Sequence, residues 1–222
     1  QFISGLLFAL PLCNGDSLIR LTGDIESKSY IDMTLEAMKL FSVQACWKNN
    51  TSLFIKGNQS YKSTSLTVEG DYSNAAFLDA FNYVGGEVAV GNLNPHSLQG
   101  DRVYADYFEK IAAGTPTLDI SDCPDLGPIL FALAALKNGA TFTGTDRLKA
   151  KESDRGAAMQ EELTKLGGGL IFGENEITVP KQTLRNRGEV LDGHNDHRIV
   201  MALSVILTQT GGTIRGAEAV RK

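Results

Sequence analysis

Three stretches of the chain are apolar on nearly every side when they are written as helices, and they restrict the possible folds most strongly. They span residues 2–10, 127–136 and 199–207. A helix that is apolar all round must be covered by other elements or lie in a membrane. These stretches are shorter than the roughly 20 residues that cross a bilayer. They therefore predict helices buried inside a domain that also contains strands.

Two further stretches, residues 30–41 and 154–166, have the pattern of amphipathic helices. Their apolar positions on one face are Ile31, Leu35 and Met38, and Met159, Leu163 and Leu166. Short segments bounded by Gly, Asn and Asp predict strands at residues 18–21, 53–56, 87–90, 117–120, 169–172 and 176–179. The alternation of helices and strands predicts the α/β (α+β) class.

Similar strand-to-helix junctions indicate an internal repeat. Gly-Asp or Gly-Thr-Asp closes a strand-like segment at residues 23–24, 100–101 and 144–146, and an amphipathic helix follows each time. This pattern predicts a domain built from copies of a small unit with one buried helix each. Residues 61–71 are rich in Ser, Thr, Lys and Gly, and they are the predicted crossing between two domains.

Charge and cysteine content exclude several classes of protein. The chain has 21 basic and 26 acidic residues, whereas a nucleic-acid-binding surface would tip this balance towards basic residues. Cys13, Cys46 and Cys123 are odd in number and lack CxxC spacing, which predicts free thiols in a reducing compartment. No cationic segment precedes the apolar start, so we expect a cytoplasmic protein with no membrane partner. The abrupt start at Gln1 and the abrupt end predict a fragment.

Polar residues stand at the N-terminal ends of the three apolar helices: Gln1 at the first, Pro124 and Asp125 at the second, and residues 195–198 at the third. A helix N-terminus carries a partial positive charge and unpaired N–H groups, so it attracts anions. If these ends meet in the fold, they form a site for a phosphate or a carboxylate.

Residues 151–155, Lys-Glu-Ser-Asp-Arg, are the densest group of candidate functional side chains. Lys151 and Arg155 share a helix face if the helix begins this early, and two such cations can clamp an anion. Glu152 would then point elsewhere and could move a proton. The alternative interpretation is a solvated helix start with ordinary surface ion pairs, and composition alone favours it.

Asp192, His194, Asp196 and His197 resemble a set of metal ligands. The spacing offers no further strong ligand, and the neighbouring Arg198 would repel a cation. The favoured interpretation is therefore a structured loop in which Asp196 caps the third apolar helix.

Asp125 precedes the second apolar helix and has two possible roles. A carboxylate in this position is commonly an N-cap, but next to cations it could also act as a general base. Its neighbour Cys123 has no basic residue beside it in the sequence, so we expect a packed thiol rather than a nucleophile.

Five segments together resemble the 5-enolpyruvylshikimate-3-phosphate (EPSP) synthases. They are residues 1–7, the Ser-x-x-Tyr-x-Asp pattern at 27–32, Pro-Asp at 124–125, Lys-Glu-Ser-Asp-Arg at 151–155 and Asn-Asp-His-Arg at 195–198. Each motif is weak alone, but all five occur in the order of the family and extend over the whole chain.

The resemblance implies an enolpyruvyl transferase fold of two similar domains, each with three βαβαββ units around buried helices. Residues 1–69 would be the last unit of the N-terminal domain, and residues 70–222 most of the C-terminal domain. The implied reaction transfers the enolpyruvyl group of phosphoenolpyruvate to the 5-hydroxyl of shikimate 3-phosphate by addition and then elimination of phosphate. It implies no metal, no organic cofactor and a monomer at full length.

The resemblance also implies roles for individual residues. Asp125 would accept the hydroxyl proton, Glu152 would move the proton at the methylene carbon, and Lys222 matches a late catalytic lysine of the family. The implied ligands of shikimate 3-phosphate are Gln1, Ser27, Tyr30 and Lys151, and those of phosphoenolpyruvate are Arg155 and Arg198. The family's earlier basic residues have no counterpart here, so we expect the chain alone to be inactive.

Three alternatives remain open at this point. UDP-N-acetylglucosamine enolpyruvyl transferases share the fold and the chemistry, although residues 151–155 favour the shikimate enzyme. A folded but non-catalytic piece of the synthase would share the same residues. A zinc hydrolase is the most distant alternative.

Overall fold

The computed structural model describes residues 1–23, 25 and 27–221, which form two compact units. The first unit contains Gln1–Glu69 together with Pro95–Gly100. The second contains Gly70–Asn94 and the described residues from Asp101 onward. Among the described residues, no helix combines the length and the apolar character needed to cross a membrane.

The first unit packs two helices on an antiparallel sheet. Its elements are α1 (Phe2–Ala9), β1 (Ser17–Arg20), α2 (Lys28–Leu40), β2 (Ala45–Asn49) and β3 (Ser52–Ile55). The strand order is β1-β3-β2, and both pairs are antiparallel. The apolar face predicted for α2 is confirmed, since its side chains enter the core of this unit.

Helix α1 differs from the sequence prediction. Within α1, Leu7 is the residue buried in the core, while Phe2 is 93% exposed and Leu6 and Phe8 are about half exposed. The small core formed by α2 and the sheet reaches one face of α1 and leaves its other faces uncovered. The prediction of a fully buried helix at residues 2–10 is therefore wrong for the described unit.

The second unit is larger and mixed in topology. Its helices are α3 (Tyr72–Asp79), α4 (Tyr104–Ala113), α5 (Gly127–Leu136), α6 (Arg155–Lys165) and α7 (His197–Thr210). Its strands are β4 (Thr117–Asp119), β5 (Ala140–Thr143), β6 (Ile171–Gly173), β7 (Glu176–Val179), β8 (Val190–Asp192) and β9 (Thr213–Arg215). The main sheet has the order β4-β5-β7-β6, and β8 pairs with β9 separately.

The elements repeat a common pattern. In the second unit, β4-α5-β5-α6-β6-β7 forms one βαβαββ unit, in which β4 and β5 are parallel and the later pairs are antiparallel. The first unit repeats the end of this pattern, because β1-α2-β2-β3 has the strand order of β5-α6-β6-β7. The segment β8-α7-β9 repeats the beginning, again with a parallel pair. The chain thus has the predicted α/β fold with repeated units.

Helices α5 and α7 form the centre of the second unit, as the sequence predicts. Every residue from Gly127 to Ala135 is buried. Gly127 allows close packing, since a Cβ atom there would lie 2.9 Å from a methyl group of Leu148. Around α5 pack α4, α6, α7 and β7, so the apolar residues are covered from several directions.

The predicted strands have a mixed outcome. Five of the six are present with ends shifted by at most two residues, but residues 87–90 form no strand. There the side-chain amide of Asn82 bonds both backbone groups of Val88: the Val88 N–H donates to Asn82 Oδ1 at 2.6 Å, and Asn82 Nδ2 donates to the Val88 carbonyl at 2.8 Å. These side-chain bonds take the place of a neighbouring strand.

Candidate functional site

Asp125 lies in a short 3₁₀ turn, Pro124–Leu126, directly before α5. Its Oδ1 atom is 2.9 Å from Lys151 Nζ and 2.7 Å from Arg155 Nη1, and its Oδ2 atom is 3.0 Å from Arg198 Nη2. The carboxylate therefore joins cations from two other segments of the chain. Leu126, not Asp125, occupies the N-cap position of α5, so the N-cap interpretation of Asp125 is wrong.

Arg155 stands at the centre of this network and is only 1% exposed. Besides Asp125, its Nη2 donates to Glu152 Oε2 at 2.7 Å and its Nε donates to Asp196 Oδ2 at 2.9 Å. Glu152 thus contacts the guanidinium group. The sequence prediction that Glu152 points elsewhere is wrong. Three carboxylates surround one buried arginine.

The start of α6 corrects a second expectation. Asp154 caps the helix by accepting a hydrogen bond from the Ala157 N–H at 3.1 Å, so the helix begins at Arg155. Lys151 precedes the helix and does not share a helical face with Arg155. The two cations nevertheless come together, because both bind the same oxygen of Asp125.

Asp196 is fully buried and caps α7, as predicted. Its Oδ1 accepts from the Arg198 backbone N–H at 2.9 Å, and its Oδ2 accepts from Ser153 Oγ at 3.0 Å as well as from Arg155. Asp196 therefore ties the start of α7 to the start of α6.

The residues considered as metal ligands turn to different partners. Asp192 pairs with Arg215 at 2.6 Å, and His194 Nε2 lies 2.8 Å from Glu162 Oε1. Asp196 binds Arg155, so Asp192, His194 and Asp196 do not form one ligand set with His197.

The cations keep Asp125 and Asp196 ionised. Burial alone would raise the pKa of Asp125, but Arg198, Lys151 and Arg155 outweigh it and hold the pKa well below its usual range. At Asp196, burial would likewise raise the pKa, but Arg155 outweighs burial and the pKa is lowered. Burial and then Arg198 lower the pKa of His197, so its imidazole is neutral at pH 7.

The network is closed on one side and accessible on the other. Arg155 and Asp196 are buried, whereas the side chains of Lys151 and Asp125 are 21% and 16% exposed and that of Glu152 is 42% exposed. An anion that approached the accessible side would find Lys151 partly exposed, beside the more exposed Glu152. The anion would compete with Asp125 for the cations.

Arg198 brings further residues to the network that the sequence did not identify. Its Nη1 donates to Ser73 Oγ, and its guanidinium carbon lies 5.9 Å from the centre of the Phe77 ring. Asp101 is buried close to Ser73, and its burial, followed by the repulsion from Asp125, raises its pKa to about 7. The sequence pattern includes Asp101 in the Gly-Asp junction at residues 100–101, but it predicts only a repeat there and no functional role.

The remaining predicted site residues lie in the first unit or outside the residues that the structure describes. Gln1 is exposed at the start of α1, and Ser27 has a left-handed φ of 54° before α2. Tyr30 is 40% exposed in the first turn of α2, and its N–H donates to the Ser27 carbonyl. Lys222 lies outside the described residues. Because α2 repeats α6, Ser27 occupies the N-cap position that Asp154 occupies in the second unit, and Tyr30 follows in the first turn.

Cys123 is buried next to Asp125, and burial followed by nearby carboxylates raises the pKa of its thiol. A raised pKa removes the reactive thiolate at neutral pH, which agrees with a packed thiol.

A groove of about 610 Å³ lies elsewhere, between α2 and the β2–β3 pair of the first unit. Its wall is mainly apolar and includes Leu35, Trp47 and Phe54, while Glu36 and Lys39 on the rim pair with each other at 3.4 Å. It contains none of the residues that the sequence assigned to substrates. The charged chemistry lies at the Asp125 network, not at this groove.

The family model of EPSP synthase (3-phosphoshikimate 1-carboxyvinyltransferase) matches residues 1–115 and 114–222. The chain belongs to the EPSP synthase family. This agrees with the family that the five sequence motifs indicated.

Similar proteins carry the same description. A 3-phosphoshikimate 1-carboxyvinyltransferase of Clostridium acetobutylicum is 41% identical, and the match covers all of this chain and 56% of that protein. One of Clostridium botulinum is 39% identical over 94% of this chain and 52% of its own length. The chain therefore spans about half the length of the EPSP synthases that it matches.

The fold agrees with solved structures. An EPSP synthase of Acinetobacter baumannii superimposes with a TM-score of 0.78 at 20% identity, covering 97% of this chain and 56% of that one. The enolpyruvyl transferase NikO of Streptomyces tendae gives 0.65 at 10% identity, covering 95% and 53%. At these identities the likeness concerns the fold alone, and it places the repeated α/β units in the enolpyruvyl transferase fold.

Proposed function

We propose that this chain contributes to the transfer of the enolpyruvyl group from phosphoenolpyruvate to the 5-hydroxyl of shikimate 3-phosphate, with release of phosphate. The observation that carries the proposal is the set of three cations, Lys151, Arg155 and Arg198, on the single carboxylate of Asp125. The descriptions of the family and of the similar proteins support the same reaction.

Both substrates are anions with several negative oxygens, and the network offers complementary charge. In the proposal, Arg155 and Arg198 hold the carboxylate or phosphate of phosphoenolpyruvate through charge-assisted hydrogen bonds. Lys151 binds shikimate 3-phosphate, and the resemblance assigns the same ligand to Gln1, Ser27 and Tyr30 of the first unit. The network of Lys151, Arg155 and Arg198 with Asp125, Glu152 and Asp196 carries three charges of each sign, so an anion must displace a carboxylate to bind.

The displaced carboxylate is Asp125, and its displacement prepares it to act as a base. With three cations around it, its pKa is too low to take a proton from a hydroxyl group. When substrate anions engage the cations, their effect on Asp125 weakens and its pKa rises. Asp125 can then accept the proton of the attacking 5-hydroxyl. Substrate binding and activation of the base are therefore coupled.

The second proton movement is assigned to Glu152 and Lys222. Glu152 is accessible and adjacent to Arg155, which suits a group that exchanges a proton at the methylene carbon of phosphoenolpyruvate. The addition step develops positive charge, and fixed carboxylates stabilise such charge. Protons and side-chain charges suffice for these steps, so no metal or organic cofactor enters the proposal.

The proposal includes the organisation of the whole protein. Residues 1–69 form the last unit of an N-terminal domain, and residues 70–222 form most of a C-terminal domain. The full-length protein acts as a monomer in the cytoplasm, and the three free cysteines fit a reducing compartment.

Calorimetric titration of the chain with phosphoenolpyruvate and with shikimate 3-phosphate tests the anion site. Lys151→Met should weaken binding about tenfold, the effect of losing one charge-assisted bond. Lys149→Met is the matched control, because Lys149 is 68% exposed and pairs with Asp146 outside the network. Equal effects of the two variants, or no binding to the folded chain, would contradict the proposal and favour a non-catalytic piece of the synthase.

A separate assay measures phosphate release from phosphoenolpyruvate in the presence of shikimate 3-phosphate. We expect none from this chain alone, because the resemblance assigns further basic residues to the part of the family that the chain does not match. Release that depends on shikimate 3-phosphate would disprove this expectation and support the reaction directly.

A further inference from the structure

Glu162 is a charged residue in the interior of the second unit, and its side chain is 0% exposed. Its Oε1 atom lies 2.7 Å from Lys165 Nζ and 2.8 Å from His194 Nε2. Its Oε2 atom accepts from Lys165 Nζ at 3.0 Å and from the Asp192 backbone N–H at 2.9 Å. A buried carboxylate is costly unless it is paired and hydrogen-bonded, and here both oxygens have two partners each.

Glu162 follows Arg155 by two turns on α6, so the two side chains lie on the same side of the helix. Arg155 binds Asp196, while Glu162 binds Asp192 and His194. The segment 192–196, which we call the α7 entry loop, is therefore attached to α6 at both ends. The two attachments have opposite polarity, a cation at one end and a carboxylate at the other.

The α7 entry loop has a backbone that needs such attachments. His194 and Asn195 both have left-handed φ angles, 49° and 52°. Such a conformation is unfavourable for residues with a side chain, and it persists where the surroundings hold it in place. If the attachment at Asp192 and His194 were released, the loop could relax and carry Asp196 away from Arg155.

A metal site is the competing interpretation of the same residues. Glu161, Glu162 and His194 have ligand atoms within 4.8 Å of one another. However, the ammonium group of Lys165 already lies 3.3 Å from Glu161 and 2.7 Å from Glu162. This cation neutralises the carboxylates and would repel a metal ion, so the contacts favour a role in holding the loop.

From these contacts we infer that Glu162 is a positioning residue of the anion site. It holds the α7 entry loop so that Asp196 engages Arg155 and the first turn of α7 directs Arg198 to Asp125. Glu162 does not touch substrate itself in this role. The inference rests on the proposed anion site for its functional consequence, but the positioning itself can be observed without a ligand.

The test compares Glu162→Gln with Glu161→Gln. Glutamine keeps the shape of Glu162 and removes its charge, while Glu161 is 59% exposed and contacts the same lysine. We expect Glu162→Gln to speed amide hydrogen exchange at Asp192 about tenfold or more, because the acceptor of its N–H is weakened. Exchange at His194, whose N–H donates to Asp192 Oδ1, should also become faster as the loop loosens. The NMR signals of the Arg155 and Arg198 Nε–H groups should shift in the same variant. Glu161→Gln should change none of these signals.

The second readout is binding of inorganic phosphate, measured by calorimetric titration. Glu162→Gln should raise the dissociation constant about three- to tenfold, and Glu162→Ala should raise it further, since alanine keeps no acceptor. Faster exchange with unchanged phosphate affinity would overturn the positioning role and leave a purely structural one. If the unsubstituted chain binds no phosphate, the proposed anion site fails. In that case the NMR signals of the Arg155 and Arg198 Nε–H groups still test the positioning role. Unchanged signals in Glu162→Gln would overturn the inference.

Discussion

Helices α1 and α5 have nearly the same apolar character but very different surroundings. In α5 every residue from Gly127 to Ala135 is buried, whereas α1 buries Leu7 and leaves Phe2 almost fully exposed. Helices α4, α6 and α7 and strand β7 pack around α5, together with the 3₁₀ turns Ala80–Val84 and Pro124–Leu126. In the first unit, α1 packs on α2 and on the short turn that follows it.

The difference teaches that the number of neighbouring elements decides how much of an apolar helix is covered. The second unit has enough elements to enclose α5 and also to bury Arg155 and Asp196 beside it. Among its described residues, the first unit has a core of six buried apolar side chains. We therefore expect substitutions of similar chemistry to have larger effects in the second unit.

The two units can be followed separately. Trp47 is the single tryptophan of the chain and belongs to the first unit, so its fluorescence reports unfolding there. Backbone amide NMR signals report the second unit.

The largest effect is expected when the buried charge network is broken. Arg155→Gln leaves Asp196 without its cation in the interior, which should cost the second unit about 3–5 kcal/mol of unfolding free energy. The Trp47 transition in urea should not move. The control is Arg215→Gln, since Arg215 is 77% exposed in its pair with Asp192 and should contribute nothing measurable. Equal effects of the two variants would remove the distinction between buried and exposed pairs.

The comparison of the helices themselves is tested with Phe131 and Phe8. Phe131 is fully buried on α5, and its ring centre lies 5.1 Å from that of Phe142. Phe131→Ala should lower the unfolding free energy of the second unit by about 3–4 kcal/mol. Phe8→Ala on α1 should cost less than about 1 kcal/mol in the Trp47 transition, because that side chain is already half exposed. A larger loss for Phe8→Ala than for Phe131→Ala would break the comparison.

A pH dependence should be confined to the second unit. The pKa of buried Asp101 is about 7, above its ordinary value of 3.8, so the folded state holds this proton more tightly than the unfolded state. Its contribution to stability is present below about pH 4 and is lost as the pH rises to about 7. Asp101→Asn removes this loss. As the pH rises from 4 to 8, the unfolding free energy of the variant should therefore gain on the order of 2–4 kcal/mol relative to that of the unsubstituted chain. Urea unfolding at both pH values measures it, and a difference that does not change with pH would contradict the assignment.

The smallest effect is expected at Leu6 of α1, which is about half exposed. Leu6→Gln should shift the unfolding free energy of the first unit by no more than about 0.5 kcal/mol, as for other exposed positions. The Trp47 fluorescence transition measures this change. A loss above about 1 kcal/mol would indicate that Leu6 is covered in solution.

Much of the fold could be predicted from local patterns. The apolar runs located α5 and α7, and the spacing of Met159 and Leu163 identified the buried face of α6. Strands β2, β5, β8 and β9 escaped prediction, because three to five residues carry little periodicity and their pairing depends on distant partners. Residues 87–90 were misassigned, because a strand pattern does not reveal that a side chain such as Asn82 takes the backbone bonds.

The site was predictable in composition but not in geometry. The motifs named Asp125, Arg155 and Arg198, yet Arg155 meets Asp196 across 41 positions of sequence and Arg198 meets Ser73 across 125. No local pattern encodes contacts over such distances. The prediction that Lys151 and Arg155 share a helix face was wrong, because Asp154 caps the helix and the helix begins only at Arg155.

The two parallel strand pairs have a consequence for the order of folding. β4-α5-β5 and β8-α7-β9 each join a strand to its partner through one helix, so each can close over a short stretch of chain. Asp125 belongs to one of these segments and Arg198 to the other, 73 positions apart. The ion pair between them requires both segments to be formed and docked. Anion binding should therefore be acquired late during refolding, after most of the helical signal has returned.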